Sequence, residues 1–250
     1  MLRNASVIKG YTIAATDGRI GTVSDILFDD SSWRVRWVVV DTGNWLPGRT
    51  VLLPLSALGR LDENGSEFAV KLTMQQIKDS PGSDTDRPVS RQIESNIYSY
   101  YGWQPYWGTD MLMGGGLGYG TGFGGGVASA LPIIGSRRAS DIAIAGASDD
   151  DPHLRSVQAV KGYHIHATDG EIGHLTDFIV DDTDWSIRSI IVDTKNWWPG
   201  KIVVIAPSSI DTVDWMDSLV NLKISREKVK ASPAYDASTT IDRAMMETFP

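Results

Sequence analysis

The chain has 250 residues, 42% hydrophobic and 22% charged, with a formal net charge of −8 and no cysteine. This is the profile of a soluble globular protein, and its acidity lacks the positive footprint that phosphate-driven nucleic-acid binding requires. The missing cysteine excludes disulfides, thiolate metal sites and a cysteine nucleophile. The opening residues, MLRNASVIKG, contain no long apolar core, so they do not read as a secretory signal, and a cytoplasmic setting is expected. In chain order, residues 11–15 and 19–28 read as strands around Asp17-Gly18, a hairpin signal because a tight primed turn needs φ > 0. Ile20 and Val23 are three apart, so a bulge at Gly21 is predicted to restore one apolar face. Valine-rich residues 36–42 form a central strand, 44–48 a turn, and 50–53 a fourth strand. Residues 60–62 and 67–72 flank Asn64-Gly65, a second hairpin signal. Thr73 with Gln76 resembles a capping box, and Ser80-Pro81 stops that helix. A second helix is predicted over 89–101.

The same pattern then returns. Residues 9–81 and 161–233 align without a gap at an offset of 152, with 30 identities in 73 positions. Such length marks a domain duplication, because solenoid periods run about 20–50 residues. Shared residues read as scaffold: Asp17, Gly18, Gly21, Asp25, Arg36, Asp41 and Trp45, with their counterparts Asp169, Gly170, Gly173, Asp177, Arg188, Asp193 and Trp197. The expected organisation is a first repeat over 1–108, a glycine-rich linker over 109–152 and a second repeat over 153–250, whose own last helix is predicted over 239–249. Six short strands per repeat suggest a small closed barrel. The repeats are either tethered modules or a face-to-face pseudo-symmetric pair.

Between them lies a segment without a counterpart. Tyr98, Tyr100, Tyr101, Trp103, Tyr106 and Trp107 place six aromatics in ten residues. Exposed aromatics mark interfaces, whereas buried ones would cap the first barrel. Residues 111–135 carry no charge, but their glycines argue for a flexible tether rather than a membrane helix.

Candidate chemistry is sparse. Asp29-Asp30 and Asp181-Asp182 sit at strand ends before Ser or Thr, where aspartate organises turns. Adjacent strand residues face opposite ways, so neither pair reads as a catalytic dyad. Arg36 and Arg188 lie in apolar strands and need a partner if buried, which points to a structural ion pair. His164 and His166 share one strand face. A metal would need a third ligand, and an ideal turn at Asp169-Gly170 puts His174 opposite Ile165 on the other face. A bulge at Gly173 shifts that register, so the geometry stays open. No catalytic, cofactor-binding or metal residue is assigned, and no cofactor is expected. No nucleophile elbow, P-loop or dinucleotide fingerprint is present.

The order Lys-Gly-Tyr, Thr-Asp-Gly-x-Ile-Gly, Asp-Asp near a tryptophan, Val-Asp-Thr and a Pro-Gly turn resembles the PRC-barrel family, twice over. Such barrels occur in the H subunit of the photosynthetic reaction centre and in ribosome-maturation factors. The resemblance implies a mainly β fold of two small PRC-type barrels, about six strands each, followed by short helices. It also implies a bacterial, non-enzymatic scaffold or adaptor that binds proteins or supports an assembly. The alternatives are an accessory protein of a photosynthetic or electron-transfer membrane complex, or a ribosome-assembly factor. A protein partner is expected, with no direct nucleic-acid binding and no transmembrane span. Peripheral membrane association and homo-oligomer formation stay open.

Overall fold

The computed structural model describes residues 1–61, 66–80, 91–103, 153–194, 201–232 and 235. The chain divides into two compact units, one holding Met1–Val89 with Asp151–Pro250, the other Ser90–Asp150. The expected turn at Asn64-Gly65, Trp197 and the helix over 239–249 lie outside the described residues.

The first repeat runs β1 (Leu2–Asn4), a helical turn α1 (Ala5–Ile8), β2 (Thr12–Ala15), β3 (Gly18–Asp29), β4 (Arg34–Asp41), β5 (Thr50–Pro54), a 3-10 turn (Leu55–Ala57), β6 (Leu58–Leu61), β7 (Glu67–Val70) and α2 (Met74–Lys78). Helix α3 (Arg91–Tyr101) belongs to the other unit. The second repeat runs in the same order: β8 (Leu154–Ser156), α4 (Val157–Val160), β9 (His164–Ala167), β10 (Gly170–Asp181), β11 (Ser186–Asp193), β12 (Ile202–Ile205), a 3-10 turn (Pro207–Ser209), β13 (Ile210–Asp214), β14 (Leu219–Leu222) and α5 (Arg226–Ala231). The protein is mainly β with short helices.

Within the first repeat the strands lie in the order β6-β7-β2-β3-β4-β5, antiparallel except for β2 beside β7. The second repeat repeats this as β13-β14-β9-β10-β11-β12. The sheet is barrel-like but not closed, which corrects the expectation of sealed barrels. The 3-10 turn at Leu55–Ala57 separates β5 from β6, and among the described residues no ladder joins those two strands.

A bulge is present one residue before the expected Gly21. Ile13 pairs Gly21 and Ala14 pairs Arg19, leaving Ile20 as the extra residue. Both Ile20 and Val23 are then buried. The tight turn falls one residue earlier than expected, because Ala15 already pairs Gly18. The core is aliphatic and aromatic, with Trp37, Phe28, Phe68 and Phe178 fully enclosed. Thr73 and Gln76 form the anticipated reciprocal cap on α2.

The two repeats are a packed pair. Strand β4 meets β11 at Arg34 and Ser186, which joins the 14 strands of the described residues into one sheet. Each repeat also gives its first strand to the other. Strand β1 pairs β10, with Leu2 opposite Asp181, and β8 pairs β3, with Leu154 opposite Asp29. The two registers are related by the same offset of 152 that relates the sequences.

Candidate functional site

The described residues concentrate their polar contacts at this junction. Arg3 donates to Asp182 at 2.8 Å, and its counterpart Arg155 donates to Asp30 at the same distance. His153 Nδ1 lies 2.9 Å from Asp30. The second aspartate of each Asp-Asp pair therefore clamps the strand arriving from the other repeat. The shared Asp25 and Asp177 act one turn further on. Asp177 accepts from the Ser6 N–H at 3.2 Å and from the Ser6 hydroxyl. Asp25 accepts from the Gln158 N–H at 3.1 Å and from the Ser156 hydroxyl. Each carboxylate satisfies N–H groups at the start of the other repeat's helical turn, α1 or α4, that would otherwise lack a partner. Lys161 pairs with Asp177 at 3.2 Å.

At the centre, Trp33 and Trp185 adopt left-handed φ of 53° and 57°. That conformation costs a non-glycine residue about 1–2 kcal/mol. Here the two carbonyls cross the junction: Val35 N–H donates to Trp185 at 2.9 Å, and Ile187 N–H to Trp33 at 2.7 Å. The Phe28 and Phe178 rings lie 5.3 Å apart, and Trp185 lies 5.7 Å from Phe68 of the first repeat. Trp33 and Trp185 thus both place backbone in the interface, and Trp185 places its ring there as well.

Several other shared residues make contacts within their own repeat. Asp17 accepts from the Met74 N–H and Asp169 from the Arg226 N–H, both at 2.7 Å, so the hairpin aspartate caps the helix after the sheet. Gly18 and Gly170 lie at the same turn, Gly18 against Met74 and Gly170 against Arg226. Asp41 is exposed and accepts from the Gly43 N–H at 2.8 Å, opening the loop that carries half-buried Trp45. Asp193 pairs His174 in the sheet. Arg36 donates to Asp29 at 2.8 Å, and Arg188 reaches Asp181 at 3.3 Å and Asp184 at 2.8 Å.

Burial raises the Asp29 carboxyl, but the Ser31 and Ser32 hydroxyls, the Ser32 N–H and the Arg36 guanidinium outweigh it and hold the pKa at about 2. Because the folded value lies below the usual 3.8, the stabilisation is present above pH 3.8 and is lost as pH falls toward 2. With allowance for solvent screening it amounts to about 1–2 kcal/mol. Denaturant titrations of Asp29→Asn should give a shallower loss of stability through that window than the parent shows. Equal slopes would contradict the assignment.

The aromatic segment divides. Tyr98 is buried, Tyr101 and Trp103 are half-buried, and Tyr100 is 41% exposed. Tyr106 and Trp107 lie outside the described residues. Helix α3 stops at Gly102, which has φ 68°. Gly102 N–H donates to Ser99 and Trp103 N–H to Tyr98, the paired bonds of a Schellman ending. This brings Trp103 back onto Tyr101, with ring centroids 4.4 Å apart, and Tyr100 meets Tyr101 edge-on at 4.9 Å.

Among the described residues, three side chains gather in a set suited to a metal: His164, Glu171 and His174, with ligand atoms all within 4.8 Å of one another. His166, paired in the sheet with Glu171, is not part of it. Among the described helices, none is long and apolar enough to cross a membrane.

Sequence reasoning missed the exchanged strands and their clamps. The signal was present in Leu2-Arg3 and Leu154-Arg155, which are identical at the same offset just outside the aligned block. A protein of Deinococcus radiodurans, itself uncharacterized, is 36% identical over 75 residues, which is 30% of this chain and 27% of that protein. The chain therefore spans about a quarter of that relative. The PRC-barrel domain family matches residues 3–73, from β1 to the cap of α2. Residues 3–73, with their strand order and their Lys-Gly-Tyr and Thr-Asp-Gly-x-Ile-Gly signatures, are a PRC-barrel domain.

Proposed function

We propose that this chain is a non-enzymatic scaffold, built from two PRC-barrel copies fused into one unit, that holds a protein partner through the aromatic end of α3. The domain at 3–73 supports a binding or assembly role. The reciprocal strand exchange supports a platform of fixed geometry rather than two modules on a string. The observation that carries the reading is the ring group at the end of α3. Tyr100 is exposed beside the stacked Tyr101 and Trp103, and the Schellman ending fixes all three. Aromatic rings held in one conformation contribute contact area at low entropic cost, which is why they dominate interface energetics.

The test is capture from an extract of the native cell with tagged full-length chain, read by mass spectrometry, beside the variant Tyr100→Ala/Trp103→Ala. A specific partner whose affinity falls more than about tenfold in the variant is the expected result, on the usual scale of interface aromatics. Partner recovery equal in both would overturn the aromatic contact. A membrane-complex partner directs the scaffold to a photosynthetic or electron-transfer assembly, and small-subunit particles direct it to ribosome assembly.

A further inference from the structure

We propose that the second repeat carries a zinc site made by His164, Glu171 and His174. It begins with a bulge. From the observed pairing of Gly170 with Ala167, an unbulged hairpin would set His174 opposite Tyr163, facing away from His164. Strands β9 and β10 instead shift register between Glu171 and Gly173, so Gly173 pairs Ile165 and His174 pairs His164. The bulge moves His174 across to the face where His164 already stands. The two imidazole rings lie 4.5 Å apart, and His164 Nδ1 lies 2.9 Å from Glu171 Oε1.

The donor chemistry fits. Two imidazoles and one carboxylate are the set that binds zinc with a fourth position left to water or an outside donor. The donors already lie within 4.8 Å of one another, and side-chain rotation closes that to the spacing of ligands around a tetrahedral ion. His164 is exposed and the other two half-buried, so an ion reaches them from solvent. The backbone beneath is firm. Strand β9 is paired on both sides, by β10 and β14, and Arg226 donates to the Glu171 carbonyl at 2.6 and 3.0 Å.

Comparison of the repeats separates this set from the scaffold. At the equivalent positions the first repeat has Thr12, Arg19 and Thr22, none of which forms such a site with the others. The surrounding framework is unchanged: Thr-Asp-Gly, the isoleucine and the bulge glycine are the same in both. All three ligand positions differ together, and the only other difference between Tyr163–His174 and the first repeat's hairpin is His166, which replaces Ala14. The open coordination position makes the site a point where a donor from outside the chain can attach.

The measurement is calorimetric titration of untagged full-length chain with Zn²⁺, followed by visible absorption of the chain loaded with Co²⁺ in its place. One ion per chain and the intense absorption of four-coordinate cobalt are expected. His164→Thr and His174→Thr install residues that the first repeat already accommodates, so folding is retained. Each should weaken binding by more than about tenfold, the loss already seen when only a hydrogen-bond partner of a ligand is removed. His166→Ala should bind as the parent does. Absence of saturable zinc binding would overturn the proposal. So would a loss in His166→Ala equal to that in His174→Thr, which would move the site to the 164/166 pair.

Discussion

Gly21→Val destabilises the chain by about 3 kcal/mol, the upper end of the usual cost of over-packing. A Cβ at Gly21 would lie 2.0 Å from the Asp41 carbonyl oxygen and 2.9 Å from the Thr42 Cα. Those are backbone atoms at the end of β4, and β4 is paired to both β3 and β5, so it has no direction in which to yield. Gly173→Val meets the Asp193 carbonyl at the same 2.0 Å and should cost as much. Against a total stability of about 5–15 kcal/mol, either change is a large fraction. Gly43→Ala is the control. Its φ is 53°, but nothing lies within 4 Å of the added methyl. It should lose only about 1 kcal/mol, the ordinary cost of a left-handed non-glycine residue. Urea titration of the three variants makes the comparison, and a Gly21→Val midpoint no lower than that of Gly43→Ala would refute the close approach.

Residues 151–250 made alone form a homodimer. Their first strand, β8, seats on β3 of the other repeat, and their own β10 is left without β1. A lone second repeat therefore has a donor strand with no acceptor and an acceptor edge with no donor. Two copies satisfy both needs by the symmetry already present in the sequence, in the manner of domain swapping. The contacts transfer. Arg155 meets Asp182 where Arg3 stands now, and the Ser156 hydroxyl with the Gln158 N–H meets Asp177, where Ser6 supplies both bonds now. Leu154 and Val157, both buried in the full chain, would be exposed in a monomer. Light scattering at micromolar concentration should give twice the mass of the fragment, and Arg155→Asp should shift it toward monomer by setting like charges against Asp182. A monomeric parent fragment with native stability would contradict the exchange.

The strands that were legible are those whose signals are local. Strands β2 and β3 carry Asp17 and Gly18 between apolar runs, and β4 carries three consecutive valines. The bulge was legible because Ile20 and Val23 break the two-residue alternation. Strands β1 and β8 were not, because three residues hold no periodicity and their pairing is set by the other repeat. The left-handed Trp33 and Trp185 were equally hidden, since local preference assigns glycine to such positions and only the crossing hydrogen bonds retain tryptophan there. Arg36 showed that it needed a carboxylate, but not that Asp29 would supply it, because the irregular register between Leu27 and Phe28 decides which acid it faces.

The same distinction governs the candidate sites. The sequence places His164 and His166 on one face but leaves His174 to the outcome of the bulge, and the bulge selects His174. The aromatic run is visible from composition. Its division into buried Tyr98 and exposed Tyr100 is helix geometry that emerges once α3 has defined ends. Partner identity leaves no mark in local pattern, because it depends on surfaces of two molecules.

Cutting the chain between the two repeats tests whether they form one unit through exchanged first strands. A protease site is placed within residues 114–126 of the full-length protein and cut after folding, and native mass spectrometry then reads the product. A single species with the mass of both fragments is expected, held together by β1 on β10, β8 on β3 and the β4–β11 contact. Two separate fragments, each folded and monomeric, would contradict it.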